Sequence, residues 1–243
     1  MLKNYKIEIS YDGTDYHGWQ RQPEKKTIQG NLEKALSRIT KKDIPVLGAG
    51  RTDAGVHALA QAASFKANLT LNEEDLRRAM NSFLPKDIRI ISLQKVDKDF
   101  HARKKAISKI YRYRIFNGKN ISPFLIRYAL YWPYNLDLEG MKLAAAKFMR
   151  EADFTAFSSN RLLYPVRKVS RSAIQKKGEE ILYTVEANGF MRYMVRTMVG
   201  TLLEIGRGKR QPDIIDDLFK GGRRTLASPT AEPQGLCLIK VCY

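Results

Sequence analysis

The first residues alternate apolar and polar side chains at the period of a β-strand. Tyr5, Ile7, Ile9 and Tyr11 are each separated by one polar residue, and in a strand such positions share one face. The stretch YDGTDYHGW, which contains two glycines, then interrupts the alternation. The pattern predicts a half-buried strand that leads into a loop rich in turns.

Two segments of the first half have helical periodicity. One would begin after a capping Thr27, and the other after Asn72, which three acidic residues follow, ending before Pro85. Their apolar faces comprise Ile28, Leu32, Ala35, Leu36 and Ile39 in the first helix and Leu76, Ala79, Met80 and Phe83 in the second. Further strands are predicted near Val46 and over AQAASFKA and IRIISLQKV. The element order is therefore β-α-β-β-α-β, which is typical of a ferredoxin-like unit.

The second half repeats this order with additions. Strands are predicted over ISKIYRYRIF, VRKVSRSAI, ILYTVEAN and GLCLIKVCY. One helix is expected over 138–149, with an apolar face made of Leu138, Met141, Ala145, Phe148 and Met149. A longer helix, capped by Asn188, is expected from Phe190 to about Ile205, and a short one over PDIIDDLFK.

The predicted fold class is α+β, with two ferredoxin-like (βαββαβ-derived) halves and mainly antiparallel sheets. We expect the halves to leave a cleft between them, which is a common place for a binding site. The boundary falls between Phe100 and Lys105, which gives an N-terminal half over 1–103 and a C-terminal half over 104–243.

The charge of the chain narrows the class of partner. Lys and Arg number 43 against 25 Asp and Glu, a net charge of +18, and basic residues occur along the whole sequence. A folded protein with this excess favours a polyanion, and nucleic acid is the first candidate.

The cellular setting is predicted from what the sequence lacks. Cys237 and Cys242 lie five residues apart and so on opposite faces of one strand, which argues against a disulfide between them. The first residues contain no signal-peptide core, and no stretch reaches the length of a membrane span. We therefore expect a cytoplasmic protein with no membrane association.

The stretch GAGRTDAGVHA contains the first candidate for chemistry. Arg51 and Asp53 stand among glycines that let the backbone bend tightly. An Asp that a neighbouring Arg keeps ionised could act as a nucleophile or a base. Alternatively, Asp53 only caps a turn.

Two further candidates lie in the second half. Tyr111, in KIYRYRIF, could stack on a nucleic-acid base, or could be an ordinary half-buried strand residue. Arg192 and Arg196 stand four apart at the edge of an apolar helix face, where an arginine can reach a carboxylate or phosphate or can extend into solvent. His17, His57 and His101 lack the spacing of zinc ligands, so we expect no metal site.

Taken together, these stretches resemble the TruA family of tRNA pseudouridine synthases. The matching segments run in family order: YDGTDYHGWQRQ, TIQGNLEKAL, GAGRTDAGVHALAQAASF, FHAR, YRYRI, DFTAF, VRKVSR, MVRTMVGTLLEIGRGK and TLASPTAEPQGLCLIKVCY. The resemblance implies a homodimeric, cofactor-free enzyme that isomerises uridine to pseudouridine at positions 38, 39 and 40 of the tRNA anticodon stem-loop. It also implies a basic active-site cleft between the two ferredoxin-like halves.

The resemblance also implies roles for particular residues. Asp53 matches the family's essential aspartate, which would either attack C1′ of the ribose or remove a ribose proton. Arg51 and Arg196 match active-site arginines that orient Asp53 and help to hold the flipped nucleotide. Tyr111 matches the tyrosine that stacks on the target uracil and can take part in proton transfer at C5. His57, Arg192 and Arg103 are further candidates for binding the substrate.

The sequence departs from the family pattern at Lys109, at Arg192-Tyr193 and in SSNRLLYPVRKV, which leaves the target position open. One alternative is a paralogue that modifies a different tRNA or rRNA site. Another is a non-catalytic RNA-binding protein built from paired βαββαβ units, although no RNP1-like stretch is present. A third is a glycosidic-bond hydrolase in which Asp12 or Asp15 supplies a second carboxylate.

Overall fold

A computed structural model describes residues 2–159, 163–221, 224 and 227–243. The chain forms two compact units. The first runs to Ile107 and also includes Cys237–Tyr243, and the second comprises Ser108–Leu236. The division predicted from sequence, 1–103 and 104–243, differs in its boundary and in the placement of the last seven residues.

The elements follow the predicted order closely. The described residues form ten strands, which are β1 Lys3–Tyr11, β2 Leu47–Gly48, β3 His57–Ala67, β4 Ile88–Val96, β5 Ser108–Phe116, β6 Leu130–Tyr131, β7 Glu151–Asp153, β8 Val166–Lys177, β9 Glu180–Ala187 and β10 Leu236–Cys242. The helices of the described residues are α1 Ile28–Thr40, α2 Glu73–Phe83, α3 Leu138–Lys147, α4 Met194–Gly206 and α5 Ile214–Gly221. The α+β fold class and its mainly antiparallel pairing are therefore confirmed.

The sheet of the first unit has the strand order of a ferredoxin-like unit. β1 lies between β4 and β3 and is antiparallel to both. The outer side of β3 is shared by two partners. β2 pairs antiparallel with the later part of β3, where Leu47 faces Ser64, and β10 pairs parallel with its first residues, where Cys237 faces His57.

The predicted helix caps and the predicted face of β1 are confirmed in this unit. The Thr27 hydroxyl accepts from the Gly30 amide at 3.3 Å, and the Asn72 side chain accepts from the Asp75 amide at 2.9 Å. The alternating apolar residues of β1 are all buried. Phe83 was expected on the buried face of α2 but is 44% exposed at the last position of the helix, where the Arg38 guanidinium lies over its ring.

The second unit has the sheet order β5-β9-β8-β7, antiparallel throughout, with the short β6 parallel to β5. Helix α3 begins after Asp137, whose carboxylate accepts from the Glu139 and Gly140 amides, and it ends at Lys147. Met149, expected on the apolar face of this helix, is therefore outside it and 51% exposed. Helix α5 packs near α3 through Phe219, whose ring contacts Phe148.

The start of α4 differs from the prediction. The helix begins at Met194, not Phe190. Asn188 is not its cap, because the Asn188 side chain accepts from the Lys168 amide of β8 at 3.1 Å. Tyr193 precedes the helix in a left-handed conformation, with φ 63° and ψ 2°. Within the described part of the chain, no helix is both long enough and apolar enough to cross a bilayer.

Candidate functional site

Asp53 lies in the connection between β2 and β3, here called the aspartate loop and defined as residues 49–56. Backbone hydrogen bonds hold both ends of this loop. The Ala49 amide donates to the Ala62 carbonyl at 2.7 Å, and the Val56 amide donates to the Asp53 carbonyl at 3.2 Å. The Gln61 side chain, fully buried in β3, also donates to the Gly50 carbonyl at 3.2 Å. The loop is therefore tied to the strand that follows it.

A second segment, residues 12–18, packs against the aspartate loop and is here called the glycine turn. The Trp19 amide, at its end, donates to the Thr52 carbonyl at 3.0 Å. In the other direction, the Gly55 amide donates to the Tyr16 carbonyl at 3.3 Å. These reciprocal bonds fix the backbone on both sides of Asp53.

The close approach of these two segments requires glycine at two positions. A Cβ on Gly13 would lie 2.0 Å from the Val56 carbonyl oxygen. Gly18 has φ +84°, and a Cβ there would lie 2.6 Å from the Thr52 carbonyl oxygen. Because both obstacles are backbone atoms, a side chain could be accommodated only by moving the aspartate loop.

Thr52 anchors the centre of the aspartate loop. Its side chain is buried, and its hydroxyl lies 2.8 Å from the Tyr11 hydroxyl at the end of β1. Burial raises the pKa of Tyr11, so this phenol stays protonated at neutral pH. On either side of Thr52, Arg51 is exposed and Asp53 is half-buried. The side chains of Arg51 and Asp53 are therefore more accessible to solvent than the buried side chain of Thr52 between them.

Arg51 does not form the predicted pair with Asp53. Among the described residues, the Arg51 side chain has no hydrogen-bond or ion-pair partner, and it is exposed. Sequence adjacency was misleading here because Thr52 sits between the two residues and is drawn inward by Tyr11. The Arg51 guanidinium is left in contact with solvent, where it can meet an anionic ligand.

His57, at the start of β3, is buried and contacts the glycine turn. The Gly13 amide donates to His57 Nδ1 at 3.1 Å. Asp12 Oδ1 lies 3.2 Å from the same nitrogen and also accepts from the Thr14 amide and hydroxyl. In this structure His57 holds the turn, and its predicted contact with substrate stays a prediction.

Sequence reasoning missed the support beneath the glycine turn. The Tyr16 hydroxyl donates to Asp87 Oδ1 at 2.6 Å, and Lys26 lies 3.6 Å from Asp87 Oδ2 and over the Tyr16 ring. Burial, followed by the bond to Asp87, raises the pKa of Tyr16. Little in the sequence indicated this contact, because Tyr16 and Asp87 are 71 residues apart. The one local signal is the position of a tyrosine between two glycines.

Arg103 lies on a turn that is itself well anchored. Its neighbour Ala102 is fully buried, donates its amide to the Ser64 hydroxyl and accepts from the Tyr243 hydroxyl at 2.8 Å. The Arg103 side chain is exposed. A fixed turn therefore presents this cation to solvent in the first unit.

The remaining predicted residues lie in the second unit. Tyr111, in the middle of β5, is 7% exposed and meets the Phe190 ring edge-on at 5.1 Å. Tyr113, two residues on along the same strand, is fully buried and donates its hydroxyl to the Glu232 carbonyl at 2.7 Å. Both tyrosines therefore lie on the buried face of β5.

Arg196, in the first turn of α4, is held by the segment that precedes β10. Its Nε donates to the Ala231 carbonyl at 2.7 Å, and the Ala231 amide donates to the Arg196 carbonyl at 3.0 Å. This segment can lie close to α4 because Gly200 has no Cβ. A Cβ at that position would lie 1.9 Å from the Pro229 carbonyl oxygen. The Arg196 guanidinium lies 5.0 Å from the centre of the Tyr193 ring.

Arg192 precedes α4, so it does not share a helical face with Arg196 as the spacing of four suggested. Its guanidinium lies 4.8 Å from the centre of the Tyr193 ring, and its Nη2 donates to the Tyr193 hydroxyl at 3.1 Å. Its carbonyl accepts from the Ser159 amide. Arg192 and Arg196 therefore both contact the ring of Tyr193.

The described residues include no group of three or more His, Cys, Asp or Glu side chains placed to hold a metal ion. The structure thus assembles two sets of predicted residues within the units. Arg51, Asp53, His57 and Arg103 belong to the first unit, and Tyr111, Arg192 and Arg196 belong to the second.

Comparison with known proteins identifies the family. A family model described as tRNA pseudouridine synthase matches residues 8–103 and 144–243. Proteins named tRNA pseudouridine synthase A from Thermodesulfovibrio yellowstonii and Thermoanaerobacter sp. are 42% and 43% identical to this chain, over 254 and 244 residues. A protein named tRNA pseudouridine synthase A 2 from Clostridium perfringens is 41% identical over 244 residues. In all three cases the match covers 100% of both chains. On this similarity, the chain whose Asp53 lies in a loop bonded to the glycine turn belongs to the tRNA pseudouridine synthase family.

Proposed function

We propose that this protein isomerises uridine to pseudouridine at positions 38, 39 and 40 of the tRNA anticodon arm, with Asp53 as the catalytic group. Family membership makes it an enzyme of uridine isomerisation. The observation that carries the choice of residue is the placement of Asp53, half-buried on a loop whose backbone is bonded on both sides. A reacting carboxylate gains from such pre-organisation.

The reaction breaks the bond between C1′ of the ribose and N1 of uracil and forms a bond between C1′ and C5. In one route the Asp53 carboxylate attacks C1′ and uracil leaves; C5 then displaces the carboxylate. In the other route Asp53 removes the C2′ proton as uracil leaves C1′, which gives a glycal; C5 then bonds to C1′ while the proton returns to C2′. In both routes C5 loses its proton and N1 gains one, so the reaction is an isomerisation that consumes no co-reactant.

Arg51 is proposed to act on the RNA rather than chiefly on Asp53. Its exposed guanidinium, two residues from the carboxylate and unpaired within the described chain, suits a phosphate of the flipped nucleotide. Extruding a uridine costs a few kcal/mol of lost stacking, and phosphate contacts offset that cost.

The second-unit residues are proposed to act on the base and the backbone of the same nucleotide. Tyr111 would stack on the target uracil, and its hydroxyl can take part in proton transfer at C5. Arg196 would orient the Asp53 carboxylate. His57, Arg192 and Arg103 would contact the tRNA, of which Arg192 and Arg103 have exposed side chains.

We further propose a cytoplasmic homodimer that works without cofactor or metal. The net charge of +18 supports binding to tRNA as a polyanion. Exposed apolar side chains of the second unit, including Phe124 at 87% and Ile126 at 53%, are candidates for a subunit interface. Light scattering after size-exclusion chromatography measures this directly, and a monomer at micromolar concentration would contradict the dimer.

The central experiment incubates the protein with unmodified tRNA transcripts and maps pseudouridine at nucleotide resolution. Product at positions 38, 39 and 40 is expected. Product at another tRNA or rRNA position would identify a paralogue of different specificity. Free uracil would favour a hydrolase, and tight binding without product would favour a non-catalytic binding protein.

A further inference from the structure

We propose that Tyr193 is a positioning residue, which holds the guanidinium groups of Arg196 and Arg192 in one arrangement and thereby sets the rate of isomerisation. The inference rests on the proposed function, because that function places Arg196 in the active site. It assigns a function to Tyr193, a residue that takes part in none of the chemical steps proposed above. Tyr193 acts in this view through the two arginines and not on the substrate.

The backbone of Tyr193 is the first reason. Among the described residues, only Glu24, Lys41 and Tyr193 have a positive φ without being glycine. Glu24 is exposed, and Lys41 is a helix C-cap, where the left-handed conformation is common. Tyr193 instead stands directly before a helix, where a bulky side chain in this conformation is unusual and strained. Strain of this kind collects at functional sites, where the surrounding structure maintains it.

The contacts of the Tyr193 ring are the second reason. Both guanidinium groups lie over this one ring, Arg192 at 4.8 Å and Arg196 at 5.0 Å from its centre. These distances are within the range of cation–π attraction. The phenol oxygen also accepts from Arg192 Nη2 at 3.1 Å. Two like charges are thus kept near each other by a group that attracts both.

The remaining contacts of Arg196 show why a ring matters there. The Ala231 carbonyl accepts from Nε and so fixes one edge of the guanidinium at 2.7 Å. The Tyr193 ring adds a constraint of a different kind by packing against the guanidinium group. An arginine held by edge and face loses less conformational entropy when it engages a carboxylate or phosphate.

Three substitutions separate the ring from the backbone. Tyr193→Asn removes the ring but keeps a residue type that tolerates the left-handed conformation. Tyr193→Phe keeps the ring and removes only the hydroxyl that contacts Arg192. Tyr134→Asn is the matched control, since Tyr134 is a 66% exposed tyrosine of the same unit whose ring packs on Trp132.

The measurement is kcat and KM for pseudouridine formation on a tRNA transcript, with the thermal midpoint of each variant as a folding check. For Tyr193→Asn we expect kcat to fall about tenfold or more, because misplaced catalytic groups cost that much, with a smaller change in KM. Tyr193→Phe should keep kcat within about twofold, since the face contact with Arg196 survives. Tyr134→Asn should leave kcat unchanged. Equal kcat for wild type and Tyr193→Asn would overturn the inference.

A double-mutant cycle with Arg196→Lys distinguishes positioning from packing. Lysine keeps the charge but has no planar group to rest on the ring. If Tyr193 acts through Arg196, Tyr193→Asn should lower kcat much less in the Arg196→Lys background than in the wild type. The same fold loss in both backgrounds would refute the positioning role. By contrast, full activity of Arg196→Lys, or no pseudouridine from the wild type, would count against the proposed function itself.

Discussion

The aspartate loop and the arginine pair are held by different means. Around Asp53 the contacts are mostly backbone to backbone, and Gly13 and Gly18 allow the two segments to approach. Around Arg196 side-chain contacts are added to the hydrogen bonds with the Ala231 backbone, because one tyrosine ring lies against two guanidinium groups. Backbone bonds set the position of the carboxylate, whereas side-chain packing sets the direction of the cations.

This difference has a consequence for how each region responds to mutation. A backbone-held loop is insensitive to most side-chain changes and very sensitive to glycine replacement. A group held by side chains responds in a graded way as each contact is removed. The four predictions that follow test the contrast, beginning with the largest effect.

Replacing the carboxylate should abolish turnover without disturbing the loop. In Asp53→Asn the backbone bonds of the aspartate loop remain, so folding and tRNA binding should persist while activity falls by about a thousandfold or more. Single-turnover assays and a filter-binding measurement with the same transcript check this. Asp43→Asn, at an exposed position in the same unit, is the control and should behave as wild type. Wild-type product from Asp53→Asn would remove the basis of the assignment.

The glycine turn should tolerate no Cβ. Gly18→Ala combines a positive φ with a clash at 2.6 Å and should lower the free energy of unfolding by about 2–4 kcal/mol. Gly208→Ala is matched in φ, at +71°, but has nothing within 4 Å, so it should cost only about 1 kcal/mol. Urea unfolding of both variants provides the comparison. Equal losses would mean that the close approach of the two segments contributes little.

Removing one exposed cation of the second unit should weaken tRNA binding in a salt-dependent way. If Arg192 contacts a phosphate, Arg192→Ala should reduce the slope of log K against log salt concentration by about 0.7–0.9. Arg78→Ala is the control, because Arg78 is exposed but bonded to Glu74 in the first unit. An unchanged slope for Arg192→Ala would show that this arginine serves only to contact Tyr193.

The smallest effect should come from an ion-pair cluster away from both regions. Hydrogen bonds from Lys147 and then Arg150 lower the pKa of the Asp216 carboxyl. Its stabilising contribution is therefore complete at neutral pH and is lost as pH falls through this lowered pKa. Asp216→Asn should cost less than about 1 kcal/mol at pH 7, since the pair is partly exposed. Thermal melts should show this difference shrinking toward zero in strong acid; a constant difference would exclude the ion pair as its cause.

The sequence predicted the elements better than it predicted the contacts between them. Alternation identified β1 and capping residues identified α1 and α2, because those signals are local. The start of α4 was misplaced because Asn188 is a cap residue by type but bonds to β8. Periodicity cannot show that Tyr193 adopts a left-handed conformation that delays the helix.

The candidate site divides in the same way. GRTDAGVHA and its resemblance pointed to Asp53 and Arg51, but adjacency suggested an ion pair that the structure does not form. The support of the glycine turn by Asp87 was invisible, because the two partners are 71 residues apart and neither belongs to a motif with Asp53. Long-range hydrogen bonds of this kind depend on the packed fold and leave no periodic trace.

The parallel pairing of β10 with the start of β3 couples the completion of the first unit to a strand encoded far along the chain. Cys237 meets His57 only after 179 intervening residues have been added, so this contact has a very high sequence separation and a correspondingly large loop-closure entropy. During synthesis the beginning of β3, next to the aspartate loop, would carry an open strand edge until β10 emerges. The start of β3, beside the aspartate loop, would thus complete its strand pairing only after β10 has been synthesised.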